Sequence, residues 1–426
     1  MPDPEPEDEA GTPGPPGDAG EGSFVADVAG TGASRWRVVI LPLLAVFTAL
    51  VIGALLIIVT NKVAMHDWNT FLQHPGRAVS TSWKPVRDTY YALFSGALGS
   101  PSQIAAAFRA GHIKDIREAF YPLSETIVTA TPLIFVGLSV ALGFRAGLFN
   151  IGAEGQMNIG AIVGAAVGIW WPGLPGPIHL LLMILACFIG GALWGMIPGL
   201  LKAKTGAHEV ITTIMLNFVA VSLTLYVLSL KPFKQQAEPI ARPVSVAFPH
   251  LFGADLRVHA GIFLALGVAG LVAWLLNRTT IGFEFRAVGA NPTAARAAGM
   301  NPSRTTVVVM TLAGGLAGLA AASQLGGVTP SLIPGFASGL GFTAIALALV
   351  GRGTPLGVVL AAFLFAILQV GGRSMQATTQ TPIDIVVVIQ GLVIMFIAAP
   401  ALVSAIYRIK ARRVTGPETF AKGWGG

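Results

Sequence analysis

Beyond residue 37 the chain reads as long apolar runs separated by short polar or Gly/Pro-rich breaks. The first run, 38–60, is long enough to cross a bilayer as a helix, which takes about 20 residues. Further runs predict spans at about 121–143, 149–171, 178–201, 209–230, 259–277, 303–325, 338–352, 354–372 and 382–407, about ten in all. Backbone polar groups in hydrocarbon have no water to bond, so uninterrupted runs of this kind are helices. The expected fold is therefore all-α and polytopic, and an even number of spans puts both termini on one side. The intervening stretch 61–120 is mixed in polarity, and its apolar part, 90–100, is too short to span. It predicts an external segment with short amphipathic helices.

Two runs are defective. The stretch 144–160, FRAGLFNIGAEGQMNIG, carries Asn150, Glu154, Gln156 and Asn158 where the chain enters a span. The stretch 326–352 is interrupted by Gly326, Gly327, Pro330, Pro334, Gly335, Gly339 and Gly341, which predicts a broken or re-entrant helix. Such backbone is tolerated at membrane depth only where protein or a cavity surrounds it. The two defects follow spans of opposite direction, a pattern that points to an inverted repeat with a pathway between its halves.

Composition agrees with a membrane chain. The 426 residues are 54% hydrophobic and 11% charged, with mean hydropathy +0.71, whereas soluble domains carry roughly 25% charged residues. The charge is also polarised. Residues 1–34 hold eight acidic residues and no Lys or Arg, leaving 27 basic against 12 acidic in the remainder. That Pro/Gly-rich acidic segment cannot bury enough apolar surface to fold and is expected to be a disordered cytoplasmic tail. Residues 409–426 form a basic cytoplasmic tail, and 35–408 the membrane domain. Basic residues fall at span ends, with Arg145, Lys202, Lys204, Arg278, Arg286, Arg296, Arg304 and Arg352 on the tail side, the bias expected of cytoplasmic connections. This placement, rather than a basic stripe, argues against a nucleic-acid partner. The lone Cys187 excludes an intrachain disulfide.

Buried amides and carboxylates are costly in a span unless they line a pathway or brace helices. Both roles stay open for Asn150, Glu154, Gln156, Asn158, the mid-span Asn217, and Gln324. In the loop 278–304, Asn291 and Pro292 are placed to open a short helix at 293–298, Gly299 to close it, and Pro302 to stop its continuation. A capped helix of small residues between Arg286, Arg296 and Arg304 suits docking into a cleft of another protein. No phosphate-binding G-x-x-x-x-G-K-[ST] motif, metal-ligand spacing or catalytic Ser/His/Asp set is present, so no catalytic or metal residues are expected.

The loop RAVGANPTAARAAGMN resembles the coupling-helix region of ABC-importer permeases of the branched-chain amino-acid and ribose type. FRAGLFNIGAEGQMNIGA, TGAHEVITTIMLNFVA and SGLGFTAIALALVGRGTPLG are similar to the nucleoside-type branch of that family. The resemblance covers most of 120–360 in family order. It implies a bacterial inner-membrane permease subunit and no enzyme, driven by a separate ATPase subunit that carries the ATP and Mg, with no cofactor in this chain. The implied pore is made with a second copy or a homologous permease, and an external solute-binding protein delivers a nucleoside or a ribose-like sugar. Arg286, Gly289, Asn291, Ala294, Ala295, Arg296 and Gly299 are the implied ATPase-coupling residues. The competing reading is an ion-coupled carrier or channel with Glu154 as its ion site.

Overall fold

The computed structural model describes residues 33–69, 75–235, 239–253 and 255–408. The acidic segment up to residue 32 and the basic segment 409–426 lie outside the described residues. The described residues form helices, in order α1 (Ala33–Thr60), α2 (Lys62–Asn69), α3 (Pro75–Leu98), α4 (Pro101–Ala110), α5 (Ile113–Arg145), α6 (Ala153–Trp170), α7 (Gly176–Thr205) and α8 (Glu209–Ser229). There follow α9 (Gly261–Arg278), α10 (Thr280–Ala290), α11 (Pro292–Ala297), α12 (Pro302–Gly327), α13 (Leu340–Val350), α14 (Pro355–Thr379), α15 (Asp384–Ala398) and α16 (Pro400–Ile406). Two isolated β-bridges are the only extended pairing among the described residues.

Seven of these helices are long and apolar enough to cross a membrane: α5, α7, α8, α9, α12, α14 and, within α1, Ile40–Thr60. The other three expected spans are shorter or less apolar. Polar AEGQMN opens the 18 residues of α6, α13 has 11, and the last run breaks at Ala399 and Pro400 into α15 and α16. Proline lacks the N–H that a continuing helix would use, so the break falls there. The stretch 61–120 also differs from the short helices its composition predicts. Pro75–Leu98 is one 24-residue helix that buries Val86, Leu93 and Ala97 and packs along α14. Its apolar positions recur on one helical face, and its mixed composition hides that face from a hydropathy window.

The architecture has a dry centre and a lipid-facing rim. In α5 and α12, 83% and 78% of the most apolar window is buried, against 17% in α8. The centre is held by backbone approach. A Cβ added at Gly160 of α6 would lie 2.8 Å from the Cys187 carbonyl oxygen of α7 and 2.8 Å from Gly318 Cα of α12. One added at Gly195 would lie 2.9 Å from Gly314 Cα. Small residues at four-residue spacing let membrane helices meet this closely, since dispersion and not hydrophobic expulsion holds them together in lipid.

Over one end of this centre lies a strap before α9. Ala241 N–H bonds Leu332 O at 2.9 Å, Val244 N–H bonds Pro330 O at 2.8 Å, and Phe248 N–H bonds Gly326 O at 2.7 Å. It covers the Gly/Pro-broken segment and satisfies that segment's backbone, as irregular chain at this depth requires.

Candidate functional site

The polar segment before and within the first turn of α6 is a clamp. Asn150 and Gln156 are almost fully buried and exchange two hydrogen bonds, Asn150 Nδ2 to Gln156 Oε1 at 2.9 Å and Gln156 Nε2 to Asn150 Oδ1 at 3.0 Å. Asn150 Oδ1 also accepts from Gly152 N–H at 3.1 Å, as an Asx-type turn. From α8, Asn217 Oδ1 accepts from Gly155 N–H at 2.8 Å and its Nδ2 donates to Ile151 O at 2.9 Å. These amides therefore bond one another and the backbone, with Asn150 and Gln156 buried and Asn217 half-buried. These bonds favour the brace over the pathway for the three amides.

Glu154 has a different setting. It is half-buried on the opposite side of this turn and faces Gly341 of α13, where an added Cβ would lie 2.7 Å from Glu154 Cβ and 3.2 Å from its Oε2. The two defective segments thus meet at Glu154. Asn158 follows one turn later on the same helical face and is buried. Gln324 is not part of this cluster. Gly160 meets Gly318, and the strap bonds both Gly168 and Gly326 through neighbouring residues, so α6 and α12 run parallel. Glu154 and Gln324 are then roughly 18 Å apart along the axis, at 1.5 Å per residue. The half-buried Gln324 lies near the strap.

At the other end of the turn sits the hairpin α10–α11. Thr279 caps α10 by accepting from Gly282 N–H at 3.0 Å. Asn291 Oδ1 accepts from Thr293 N–H and Ala294 N–H, both at 3.0 Å, and Pro292 occupies the first helical position of α11. Gly299, at φ +85°, closes α11 with Met300 N–H bonding Ala295 O and its own N–H bonding Arg296 O, a Schellman arrangement. Asn301 then caps α12 by accepting from Arg304 N–H.

The exposed face of this hairpin comprises Asn291, Pro292, Thr293, Ala294, Arg296 and Gly299. Two residues expected on that face point inward. Ala295 is 4% exposed, because it occupies the inner face of a helix only six residues long. Gly289 lies against the turn after α5, where an added Cβ would meet Ala146 C at 2.8 Å and Ala146 Cα at 2.9 Å. Gly147, at φ +70°, touches Gly289 in return. Arg145 in this turn donates to Gly353 O at 2.8 Å, tying it to the loop before α14. Arg286 is exposed beside Arg145. The hairpin thus meets the turn 145–147 backbone to backbone, and the chain runs from that turn into the amide clamp and Glu154.

A model of the family described as the branched-chain amino acid transport system permease component matches residues 123–398. The chain belongs to that family. The matched range contains the clamp, Glu154, the hairpin and the strap. The permease is 35% identical over 365 residues to the guanosine ABC transporter permease protein NupP of Bacillus subtilis, 84% of this chain and 93% of that one. It is 31% identical over 344 residues to the nucleoside ABC transporter permease protein NupB of Lactococcus lactis, 78% of this chain and 89% of that one. It is 39% identical over 291 residues to the glucose ABC transporter permease protein TsgB13 of Haloferax volcanii, 65% of this chain and 76% of that one. No solved structure matches the permease significantly. Proteins of this family are pore subunits of ABC transporters and not enzymes, and the seven apolar helices make this one a multi-pass membrane protein.

The strap was not anticipated as an element. Its signal is the alternation in PVSVAF, where Val244, Val246 and Phe248 are buried, the period of two of an extended segment. It brings Phe248 against His259, ring centroids 5.4 Å apart. Burial, with the nearby His250 and Arg257, lowers the His259 imidazole to about 4, so the ring is neutral at ordinary pH.

Proposed function

We propose that the permease forms the membrane pore of an ATP-driven importer of nucleosides in the bacterial inner membrane, with both termini cytoplasmic. The observation that carries the substrate is the extent of its similarity to NupP, across 84% of this chain and 93% of that relative. The similarity to TsgB13 supports a second reading, a simple sugar, with which a nucleoside shares a hydroxyl-bearing sugar ring. In either case Glu154 and Asn158 are the groups placed to meet solute hydroxyls or ring nitrogens, with Gln324 a later contact near the strap. The amides of Asn150, Gln156 and Asn217 hold the turn on which Glu154 is carried.

The pore is completed by a second copy or a homologous permease, and an external binding protein delivers the solute. An ATPase subunit docks on the exposed face of the hairpin at Arg286, Asn291, Ala294, Arg296 and Gly299, with Gly289 and Ala295 seating the hairpin from beneath. ATP and Mg belong to that subunit. Its closure moves the hairpin as a rigid body, and the Gly289–Gly147 contact carries the motion to the Glu154 turn.

The test is nucleoside uptake into vesicles carrying the permease, its companion permease and the ATPase, with and without ATP. ATP-dependent uptake that falls in Glu154→Gln while the complex still assembles supports the reading. Uptake of glucose but not of nucleosides shifts it to the sugar. Uptake that persists without the ATPase sinks it and makes Glu154 the ion site of a carrier.

A further inference from the structure

We propose that the acidic segment 1–32 is an intramolecular ligand of the basic surface around the coupling hairpin. Three independent observations meet in this assignment. The first is charge: eight carboxylates and no Lys or Arg precede α1. The second is the supply of unpaired cations at the hairpin end. Elsewhere Arg117 pairs with Asp255 at 2.7 Å and Arg257 with Glu125 at 3.1 Å, and near the hairpin Lys202 pairs with Glu209. At the hairpin end, Lys204, Arg278, Arg286, Arg296, Arg304 and Arg352 are all exposed, and none forms an ion pair among the described residues. Within 278–304 the single acidic residue is Glu284.

The third observation is placement. Helix α14 leaves the turn that Arg145 holds, and α15 runs back toward the same end. Along α15, Gly53 of α1 lies against Ile389, and Thr48 Oγ1 lies 2.9 Å from the Tyr407 hydroxyl. The start of α1 is therefore at the hairpin end, and the segment leaves the helix bundle on the side of the unpaired arginines. Thirty-two extended residues span up to about 110 Å, several times the radius of a compact chain of this size, about 20 Å. Reach is not limiting.

Exposed pairs are individually weak, roughly fivefold in affinity at best. Tethering supplies the rest, since a segment on the same chain meets the surface at an effective concentration on the order of millimolar. Several carboxylates then compete for the cations that an ATPase subunit would otherwise meet. This last consequence rests on the function proposed above: the segment lowers ATPase docking at low ionic strength and releases it as salt screens the pairs.

The decisive experiment is a distance measurement between spin labels at Ser23→Cys and Ala298→Cys, in bilayers of zwitterionic lipid. Cys187 is fully buried and stays unlabelled. A short-distance population at low salt is expected, lost at about 0.5 M salt and lost in the Arg286→Gln/Arg296→Gln variant. A broad distribution that ignores salt, or a short distance that survives neutralisation of those arginines, overturns the proposal. On the assembled transporter, deleting 1–32 should raise the apparent affinity for the ATPase about fivefold at low salt and leave it unchanged at high salt. An equal effect at both salts removes the regulatory consequence. Failure of any ATPase to associate with either chain counts against the importer reading, while the label distances still decide the intramolecular contact.

Discussion

The polar segment 149–158 and the hairpin 280–299 are both rich in Gly, Ala and Asn, yet they use these residues in opposite senses. In the first, Asn150 and Gln156 turn inward and satisfy each other where no water reaches. In the second, Asn291 caps a six-residue helix at the surface and leaves a flat exposed face. An amide pair in a dry interior specifies one geometry, because every alternative leaves a donor or acceptor bare. An exposed cap trades a backbone–water bond for a backbone–side-chain bond and fixes only the local turn. Inside, polarity locks one geometry; outside, it shapes an exposed face.

The most severe way to test this contrast is Asn150→Leu. It strands the Gln156 side chain and the Gly152 N–H in a buried site, at a cost of about 3 kcal/mol from two unsatisfied groups. The expected outcome is a marked loss of thermal stability in the purified chain. Next, the hairpin's two alanines should separate. Ala295→Trp overpacks its 4%-exposed site by about 2 kcal/mol, whereas exposed Ala294→Trp should leave melting unchanged and abolish co-purification with the ATPase. If both variants melt alike, the inward and outward faces of α11 are not distinct.

Gly289→Ala addresses the place where the two regions touch. Its methyl would press on the Ala146 backbone at under 3 Å, so hairpin and turn must part. Uptake should drop about tenfold, which corresponds to roughly 1.4 kcal/mol of lost coupling, while ATP hydrolysis by the assembled complex is retained. A parallel loss of both activities would mean that the contact supports assembly and not transmission. The smallest effect belongs to Asn291→Ala, about 1 kcal/mol of local helix stability, read as faster amide exchange at Thr293 and Ala294. Should it cost as much as Asn150→Leu, the distinction between buried and exposed amides would fail.

Much of the hairpin was legible before any coordinates. Caps act between residues two to five apart, so Asn291, Pro292 and Gly299 announce their turn in the order in which they stand. The polar clamp was legible only as an anomaly. Its decisive bonds join Asn217 to Ile151 and Gly155, partners more than 60 residues away in the chain, and residue type alone left pathway and brace equally open. The distance between Gln324 and Glu154 was illegible for the same reason, since it depends on α6 and α12 running parallel. Helix α3 escaped because its one-sided burial against α14 is invisible to an average over its length.

By itself, the sequence determined that the chain is a bundle of membrane helices, where its polar defects fall, and how the hairpin is capped, because hydropathy and capping are short-range properties of neighbouring residues. The tertiary structure alone decided which way each amide faces, that Glu154 meets Gly341, that Ala295 and Gly289 lie beneath the hairpin, and that a strap closes the broken segment. Those outcomes depend on how closely helices distant in the chain approach one another, and here the absence of side chains at Gly160, Gly191, Gly195, Gly314 and Gly318 sets that approach.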